Sequence, residues 1–195
     1  MLEVKNVTIA VGERMVAEDL SFIANDGELT CITGSAASGK TTLIRTLMGF
    51  LPVKAGFVSV DGELLTIYSS HAFREMMVYL PQDAQTLRIP QEEAEAMQVE
   101  ADDYAVWNEV LPVVEIPQPK APLTSDEILI LATQTLQESA DKPIVIADEP
   151  TALLSSEQSY QLMGLLQQQV DQGKTVVVTS RDPLVIDRAN KVINI

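Results

Sequence analysis

The glycine-rich segment GSAASGKT at residues 34–41 constrains the fold more than any other part of this sequence. It matches the pattern G-x-x-x-x-G-K-[ST] at every fixed position. The apolar run Leu29–Thr33 precedes it, and residues 41–50, which have helical composition, follow it. A strand, a glycine loop and a helix in this order predict a loop whose backbone N–H groups bind phosphate at a helix N-terminus. We expect Lys40 to reach the β and γ phosphates and the Thr41 hydroxyl to bind Mg²⁺.

A second motif follows an apolar stretch late in the chain. Residues 143–147, PIVIA, have the composition of a buried strand, and Asp148 and Glu149 follow it. In a parallel sheet, such a strand places Asp148 at the carboxyl edge, beside the phosphate loop. One carboxylate can hold Mg²⁺ through water, and its neighbour can polarise an attacking water. The two motifs together define a P-loop nucleotide-binding protein, and they leave a kinase, a GTPase, a motor and a transporter ATPase open.

Composition excludes several other classes of function. The 195 residues are 46% hydrophobic, which is enough for one packed core. A formal net charge of -15 disfavours nucleic-acid binding, because it leaves no extended basic surface. One cysteine and one histidine can form neither an internal disulfide nor a dedicated zinc site, and Cys31 is expected to be a buried packing residue. With no apolar stretch of membrane-spanning length and no signal-like start, we expect a cytoplasmic protein.

The order of predicted elements indicates an α/β fold. Residues 2–33 predict short antiparallel strands, and Asp61-Gly62 predicts a hairpin turn. Residues 83–122 are acidic and end in a proline-rich stretch, which predicts a helical insertion closed by a stiff linker. Strands and helices then alternate, with helices at 124–138, 156–172 and 183–188 and strands at 143–147, 174–179 and 191–195. We therefore expect a P-loop NTPase fold with a mainly parallel sheet covered by helices, an N-terminal antiparallel β subdomain and a short helical insertion.

Further motifs narrow the class. Residues 34–42 are followed by Tyr79-Leu80-Pro81-Gln82 and then by IVIADEPT at residues 144–151. In this combination the sequence resembles the ATP-binding cassette (ABC) family, with these segments as Walker A, the Q-loop and Walker B, and the resemblance covers essentially the whole chain. It implies one nucleotide-binding domain over residues 1–195, with the helical insertion at about 83–138. A GTPase is disfavoured because Asn190-Lys191-Val192-Ile193 lacks the acid that reads guanine.

The resemblance also implies the site residues. Glu149 would be the general base, Gln82 would contact Mg²⁺ and the attacking water, and Lys40 would stabilise charge on the phosphates. An amide suits the position of Gln82, because it coordinates through oxygen and donates through nitrogen without titrating. The implied metal ligands are Thr41, Gln82 and Asp148. The implied ATP-binding residues are Gly34, Ser35, Ala36, Ala37, Ser38, Gly39, Lys40, Thr41 and Thr42.

The sequence departs from the family pattern at two functional motifs. The signature, usually Leu-Ser-Gly-Gly-Gln, is replaced by residues 123–127, where both glycines are missing and Asp126 and Glu127 bring carboxylates. The segment Thr124-Ser125-Asp126-Glu127 fits a capping box better, with Thr124 as N-cap and Glu127 at N3. Arg181 occupies the place of the switch histidine, and arginine cannot accept a proton from water. The aromatic residue expected to stack on adenine near Val11-Gly12 is absent as well.

These observations predict an ATP-binding subunit of an ABC transporter, an ATPase whose hydrolysis of ATP is weak or depends on a partner. The cofactors implied are ATP and Mg²⁺. The partners implied are a membrane-spanning transporter subunit and a second cassette, in a homodimer or a heterodimer, at the inner face of the membrane. The alternative is a catalytically impaired ATP-binding regulatory protein that does not itself drive transport. A small-molecule kinase is a weaker rival, because no acceptor pocket is recognisable.

Overall fold

The computed structural model describes residues 1–12, 14–83 and 122–195. Within these ranges the chain forms nine strands and five helices. The strands are β1 (Leu2–Val11), β2 (Arg14–Ala24), β3 (Leu29–Thr33), β4 (Ala55–Val60), β5 (Glu63–Leu64), β6 (Met77–Leu80), β7 (Ile144–Asp148), β8 (Thr175–Thr179) and β9 (Lys191–Asn194). The helices are α1 (Lys40–Leu47), α2 (Ser70–Glu75), α3 (Ser125–Glu138), α4 (Ser156–Asp171) and α5 (Pro183–Arg188).

The strands form two sheets of different kinds. In the described residues, β2-β1-β4-β5 is an antiparallel sheet, and β6-β7-β8-β3-β9 is a parallel sheet. The hairpin between β4 and β5 turns at Asp61-Gly62, as predicted, with both residues at positive φ. The expected fold class is therefore confirmed, with a mainly parallel sheet covered by helices and an antiparallel subdomain from the N-terminal part. Because β7, β8 and β3 are neighbours, the loops that follow them meet at one edge.

Side chains of the parallel sheet alternate between two cores. In β7, Ile144 and Ile146 belong to the core shared with α1 and the antiparallel sheet. Val145 and Ala147 face the other core, which α3, α4 and α5 cover. Every residue of β7 and β8 is buried, because helices or a second sheet lie on both faces. Cys31 lies in the core shared with the helices, and its burial confirms the prediction made from the sequence.

Most predicted elements are present with small shifts of their ends. The helix predicted for residues 41–50 is α1, which ends at Leu47 because Gly49 takes a φ of 77° and the Phe50 N–H bonds the Arg45 carbonyl. The first two strands are longer than predicted, since β1 and β2 pair in a hairpin out to Val11 and Arg14. The predicted acidic insertion lies almost entirely outside the described residues. Among the residues described, no helix is both long and apolar enough to span a bilayer.

Candidate functional site

A cavity of about 470 Å³ opens at the carboxyl edge of the parallel sheet. The phosphate loop after β3 provides one part of its lining, and residues that follow β6, β7 and β8 provide another. The tip of the hairpin between β1 and β2 contributes the rest, although it belongs to the other sheet. The lining residues are Val11, Arg14, Val16, Ala36, Ala37, Ser38, Gly39, Lys40, Thr41, Thr42, Gln82, Glu149 and Arg181.

The phosphate loop has the backbone geometry that its glycines permit. Gly39, the N-cap of α1, has a φ of 110°, and no side chain caps this end of the helix. The first helical hydrogen bond runs from the Leu43 N–H to the Gly39 carbonyl, over 2.8 Å. The N–H groups of Lys40, Thr41 and Thr42 precede that bond, so they have no partner within the helix. A helix N-terminus with such N–H groups is suited to bind an anion.

Gly39 also lets the two sheets approach each other closely. A Cβ atom added at Gly39 would lie 2.1 Å from Cγ1 of Val16, which belongs to β2. The neighbouring hairpin residue Arg14 donates a hydrogen bond from its guanidinium to the Ala37 carbonyl. Strand β2 is thus packed directly on the phosphate loop, and it holds the loop through one apolar contact and one polar contact.

Lys40 is a buried cation at the centre of the loop. Its side chain is 7% exposed. The Nζ atom donates hydrogen bonds of 3.0 Å to the carbonyl oxygens of Gly34 and Ser35. It also lies 3.5 Å from Oε1 of Glu149. These contacts hold the ammonium group between the phosphate loop and the carboxylate that follows β7.

Glu149 is held by its backbone as well as by its side chain. Its φ is 46°, which a non-glycine residue seldom adopts. The Glu149 N–H donates both to the carbonyl and to the hydroxyl of Thr179, over 2.9 and 3.0 Å. Arg181 contacts both carboxylate oxygens, through Nε to Oε1 and through its backbone N–H to Oε2, each over 3.3 Å. The carboxylate therefore lies between the two cations Lys40 and Arg181.

Asp148 lies one residue earlier and is completely buried. The Thr179 hydroxyl donates a hydrogen bond to its Oδ1 atom. Its Oδ2 atom is buried and has no hydrogen-bond partner. A buried carboxylate oxygen without a partner is costly, and a divalent cation or a water held by one would satisfy it. The residues therefore fit the Mg²⁺ that the sequence implies.

Burial and the carboxylates of the site raise the pKa values of two nearby groups. Burial raises the pKa of the Tyr79 phenol to about 12, and the negative charge of Asp148 adds to this while Arg45 opposes it. Burial also raises the pKa of the Cys31 thiol to about 11, and Glu149 contributes to the rise. Both groups stay neutral at physiological pH, so they add no charge to the site.

The structure brings most of the predicted site residues together. Gln82 and Glu149 line the same cavity as residues 36–42 of the loop. Gly34, Ser35 and Asp148 do not line the cavity. The carbonyl oxygens of Gly34 and Ser35 accept hydrogen bonds from Lys40, and Asp148 is buried. Sequence reasoning missed Arg14, Val16 and Thr179. Their positions in the site depend on how the β1–β2 hairpin and β8 pack against the phosphate loop. The sequence signalled only Thr179, which ends the predicted strand at residues 174–179.

The segment in place of the signature caps a helix, as predicted. Thr124 and Glu127 form a capping box, in which each side chain bonds the backbone N–H of the other. The Asp126 carboxylate accepts a 2.6 Å hydrogen bond from the Gln158 amide of α4. These polar side chains are thus engaged in local structure, and none of them lines the cavity.

The chain is similar in sequence to known proteins. The model of the ABC transporter family matches residues 17–152. A putative ABC transporter ATP-binding protein of Treponema denticola is 33% identical over 188 residues, which cover 92% of this chain and 37% of that protein. An ATP-dependent lipid A-core flippase of Burkholderia thailandensis is 28% identical over 196 residues, covering 92% of this chain and 32% of the flippase. The chain thus spans about a third of the length of these relatives.

Solved structures share the fold. A nucleotide-free ATP-binding cassette from an ABC transporter aligns with a TM-score of 0.73 and 18% identity, covering all of this chain and 87% of that one. A dimeric cassette in a post-hydrolysis state, bound to ADP and phosphate, aligns with a TM-score of 0.68 and 19% identity, covering 100% and 94%. At this level of identity the likeness establishes the fold.

Proposed function

The chain belongs to the ABC transporter family, and we propose that it is the ATP-binding subunit of such a transporter, with residues 1–195 as one nucleotide-binding domain. The observation that carries the proposal is the convergence of Lys40, Gln82 and Glu149 on a single cavity above the N-terminus of α1. A phosphate loop, a basic side chain and a carboxylate are together what binding and hydrolysis of a nucleoside triphosphate require.

We assign binding of MgATP to the loop and its neighbours. The N–H groups at the start of α1 and the Lys40 ammonium would bind the phosphates. The Thr41 hydroxyl, the Gln82 amide and the buried Asp148 carboxylate would hold Mg²⁺, which offsets negative charge on the phosphates. Glu149 would accept a proton from the attacking water, and Gln82 would orient that water.

We propose that hydrolysis is weak, and the contacts of Glu149 support this. A general base must offer a lone pair to the water, and both Glu149 oxygens accept hydrogen bonds from Arg181. Lys40 is 3.5 Å from one of them. These contacts hold the carboxylate toward Lys40 and Arg181, so we expect slow turnover until a partner or the bound nucleotide moves the Arg181 side chain away.

The proposed partners are a membrane-spanning transporter subunit and a second cassette. One relative has a name that describes a combined ATP-binding and permease protein. The match covers 42% of this chain and 15% of that relative. We accordingly place the chain at the cytoplasmic face of a membrane, held there by its partner.

A second candidate is a regulatory protein that binds ATP without driving transport. The hydrogen bond between Asp126 and Gln158 favours it, because it commits the segment in place of the signature to packing on α4. The ion pair of Arg181 with Glu149 favours it as well. Turnover of ATP separates the two candidates.

The test is to measure MgATP binding and steady-state hydrolysis by the purified chain at a concentration that populates dimers. Lys40→Ala should weaken binding at least tenfold, and Glu149→Gln should remove turnover while binding persists. Lys54→Ala and Glu63→Gln, which alter exposed residues of the same types, are the matched controls. Arg181→His, which keeps a side chain able to donate but removes the fixed charge, should raise turnover severalfold.

Each result decides between named alternatives. If the wild-type chain binds no ATP, or binds it equally well after Lys40→Ala, the proposed function is wrong. Binding that depends on Lys40, with no turnover above the Lys40→Ala background, would favour the regulatory protein. A loss of turnover in Arg181→His would show that the guanidinium assists catalysis.

A further inference from the structure

A threonine hydroxyl at the end of β8 connects the two acidic residues at the end of β7. Thr179 is paired with Asp148 in the register of these strands, and both residues are completely buried. The Thr179 hydroxyl donates a hydrogen bond to Oδ1 of Asp148 and accepts one of 3.0 Å from the backbone N–H of Glu149. Asp148 is a proposed ligand of Mg²⁺, whereas the hydroxyl has no part in the proposed reaction.

These two bonds give the hydroxyl one orientation. A threonine hydroxyl has a single proton and two lone pairs. Because the Glu149 N–H occupies a lone pair, the proton is directed to Asp148, and the burial of both side chains keeps solvent from competing for it. In the part of the chain that the structure describes, Oδ2 of Asp148 has no hydrogen-bond partner. The carboxylate therefore has one oxygen engaged by Thr179 and one oxygen available to a cation.

Divalent cations differ in what they require of a carboxylate. Mg²⁺ demands a near-octahedral site with short bonds, and it keeps several of its waters. Ca²⁺ accepts longer bonds and a flexible geometry, and it binds carboxylates through one oxygen or through both. A carboxylate that is free to turn can serve either cation, whereas a carboxylate held at one oxygen offers mainly the other. The hydrogen bond from Thr179 to Asp148 thus suits Mg²⁺ better than Ca²⁺.

We propose that Thr179 makes the metal site selective for Mg²⁺ over Ca²⁺, because it holds the Asp148 carboxylate with a single oxygen free for the cation. The inference rests on the proposed function, since it assumes that ATP binds in the cavity together with a metal ion. Thr179 acts through Asp148, so it is a positioning residue that determines metal specificity.

The experiment measures the Kd of the full chain for ATP in three buffers, which contain saturating Mg²⁺, saturating Ca²⁺ or EDTA. Equilibrium dialysis with labelled ATP reads binding and does not depend on turnover. The wild-type chain should bind ATP about tenfold more tightly with Mg²⁺ than with Ca²⁺. Thr179→Val, which keeps the shape without the hydroxyl, should reduce this preference to about twofold, mainly by weakening binding with Mg²⁺. Thr179→Ser keeps the hydroxyl and should keep the preference.

The matched control is Thr175→Val. Thr175 lies at the other end of β8, is as completely buried, and donates its hydroxyl to the Asp26 carboxylate. This substitution removes a bond of the same kind at the end of the strand that is remote from the carboxyl edge, so the preference should stay as in the wild type. Circular dichroism checks that each variant is folded. If Thr179→Val does not fold, Thr179→Cys replaces it, because a thiol is only a weak donor.

The results separate selection of the cation from simple support of the fold. An unchanged preference in Thr179→Val would overturn the inference, and so would equal losses of affinity with Mg²⁺ and Ca²⁺. A lowered preference in Thr175→Val would also overturn it, because the effect would then not be specific to Asp148. If wild-type binding depends on Lys40 but is equal with Mg²⁺ and Ca²⁺, the inference fails while the proposed function stands. If the wild-type chain binds no ATP in any buffer, the proposed function fails first.

Discussion

Individual residues of the cavity adopt backbone angles that most side chains avoid. Ala37 and Glu149 have φ values of 59° and 46°, and Gly39 has a φ of 110°. For residues other than glycine such angles cost on the order of 1 kcal/mol or more, and they persist only where surrounding contacts impose them. At Glu149 those contacts are the two bonds to Thr179, which aim the carboxylate at the loop and not at solvent. The geometry of the site is therefore maintained at the expense of local strain.

Gly39→Ala should lower the free energy of unfolding by about 2 to 4 kcal/mol. The new Cβ would overlap Val16, and the positive φ would be strained for alanine. Urea unfolding followed by circular dichroism measures the change. Adding Val16→Ala should recover part of the loss, because it removes the overlap.

The matched control for this substitution is Gly164→Ala. Gly164 lies inside α4, and a Cβ atom there would meet nothing within 4 Å. Alanine should therefore stabilise the protein by up to about 1 kcal/mol, through its helix propensity. Equal effects of the two substitutions would contradict the packing of β2 on the loop.

Among the helices, α3 begins within the segment that replaces the family signature, so the role of its N-terminus bears on function. The side chains of Thr124 and Glu127 accept hydrogen bonds from backbone N–H groups at its N-terminus. Its buried side chains, Ile128, Ala132 and Leu136, are spaced by four residues and place α3 against the parallel sheet. The first turn of this helix thus works as a structural cap.

Thr124→Ala should lower the free energy of unfolding by about 1 kcal/mol, because the Glu127 N–H loses its acceptor. Thr124→Ser keeps the hydroxyl and should be nearly neutral. Urea unfolding of both variants, together with their ATP turnover, is the measurement. A change of turnover in Thr124→Ala without a change of stability would show that the segment acts on nucleotide and not as a cap.

The sequence predicted elements well wherever a local pattern decides the structure. The loop at residues 34–41, the buried strand before Asp148 and the capping box each carry their own signal, and each is found as expected. The ends of β1 and β2 were missed, because pairing between the strands extends them beyond the alternating pattern. Arg14 and Val16 were missed for the same reason, since their place in the cavity comes from packing between sheets. The roles of the site residues remain predictions.

At the scale of the molecule, the parallel sheet has an apolar core on each of its two faces. Cys31 on β3 lies in the core shared with the helices, whereas Tyr79 on β6 packs against the core shared with the antiparallel sheet. Their pKa values in the fold, about 11 and about 12, lie above the ordinary values of 9.0 and 10.0. A raised pKa favours the folded state at pH values where the group is neutral in both states, and that advantage is lost as pH rises toward the folded pKa.

The free energy of unfolding should therefore fall as the pH rises from about 9 to about 12. Cys31 should contribute a loss on the order of 2 kcal/mol by pH 11, given about 1.4 kcal/mol for each unit of pKa difference. Urea unfolding at pH 8, 9, 10 and 11 measures it. Cys31→Ala should flatten the dependence between pH 9 and 11, and an unchanged slope in that variant would contradict the assignment.

The lining of the cavity differs in charge from the rest of the chain. In the part that the structure describes, Arg14, Lys40 and Arg181 line it against one carboxylate, Glu149, whereas the whole chain carries -15. An approaching polyanion is thus repelled by the distant field and attracted at the mouth of the cavity. Salt screens charges beyond about 8 Å at physiological ionic strength, so it suppresses the repulsion more than the attraction. We therefore expect diffusional encounter with the proposed nucleotide to be faster in physiological salt than in dilute buffer.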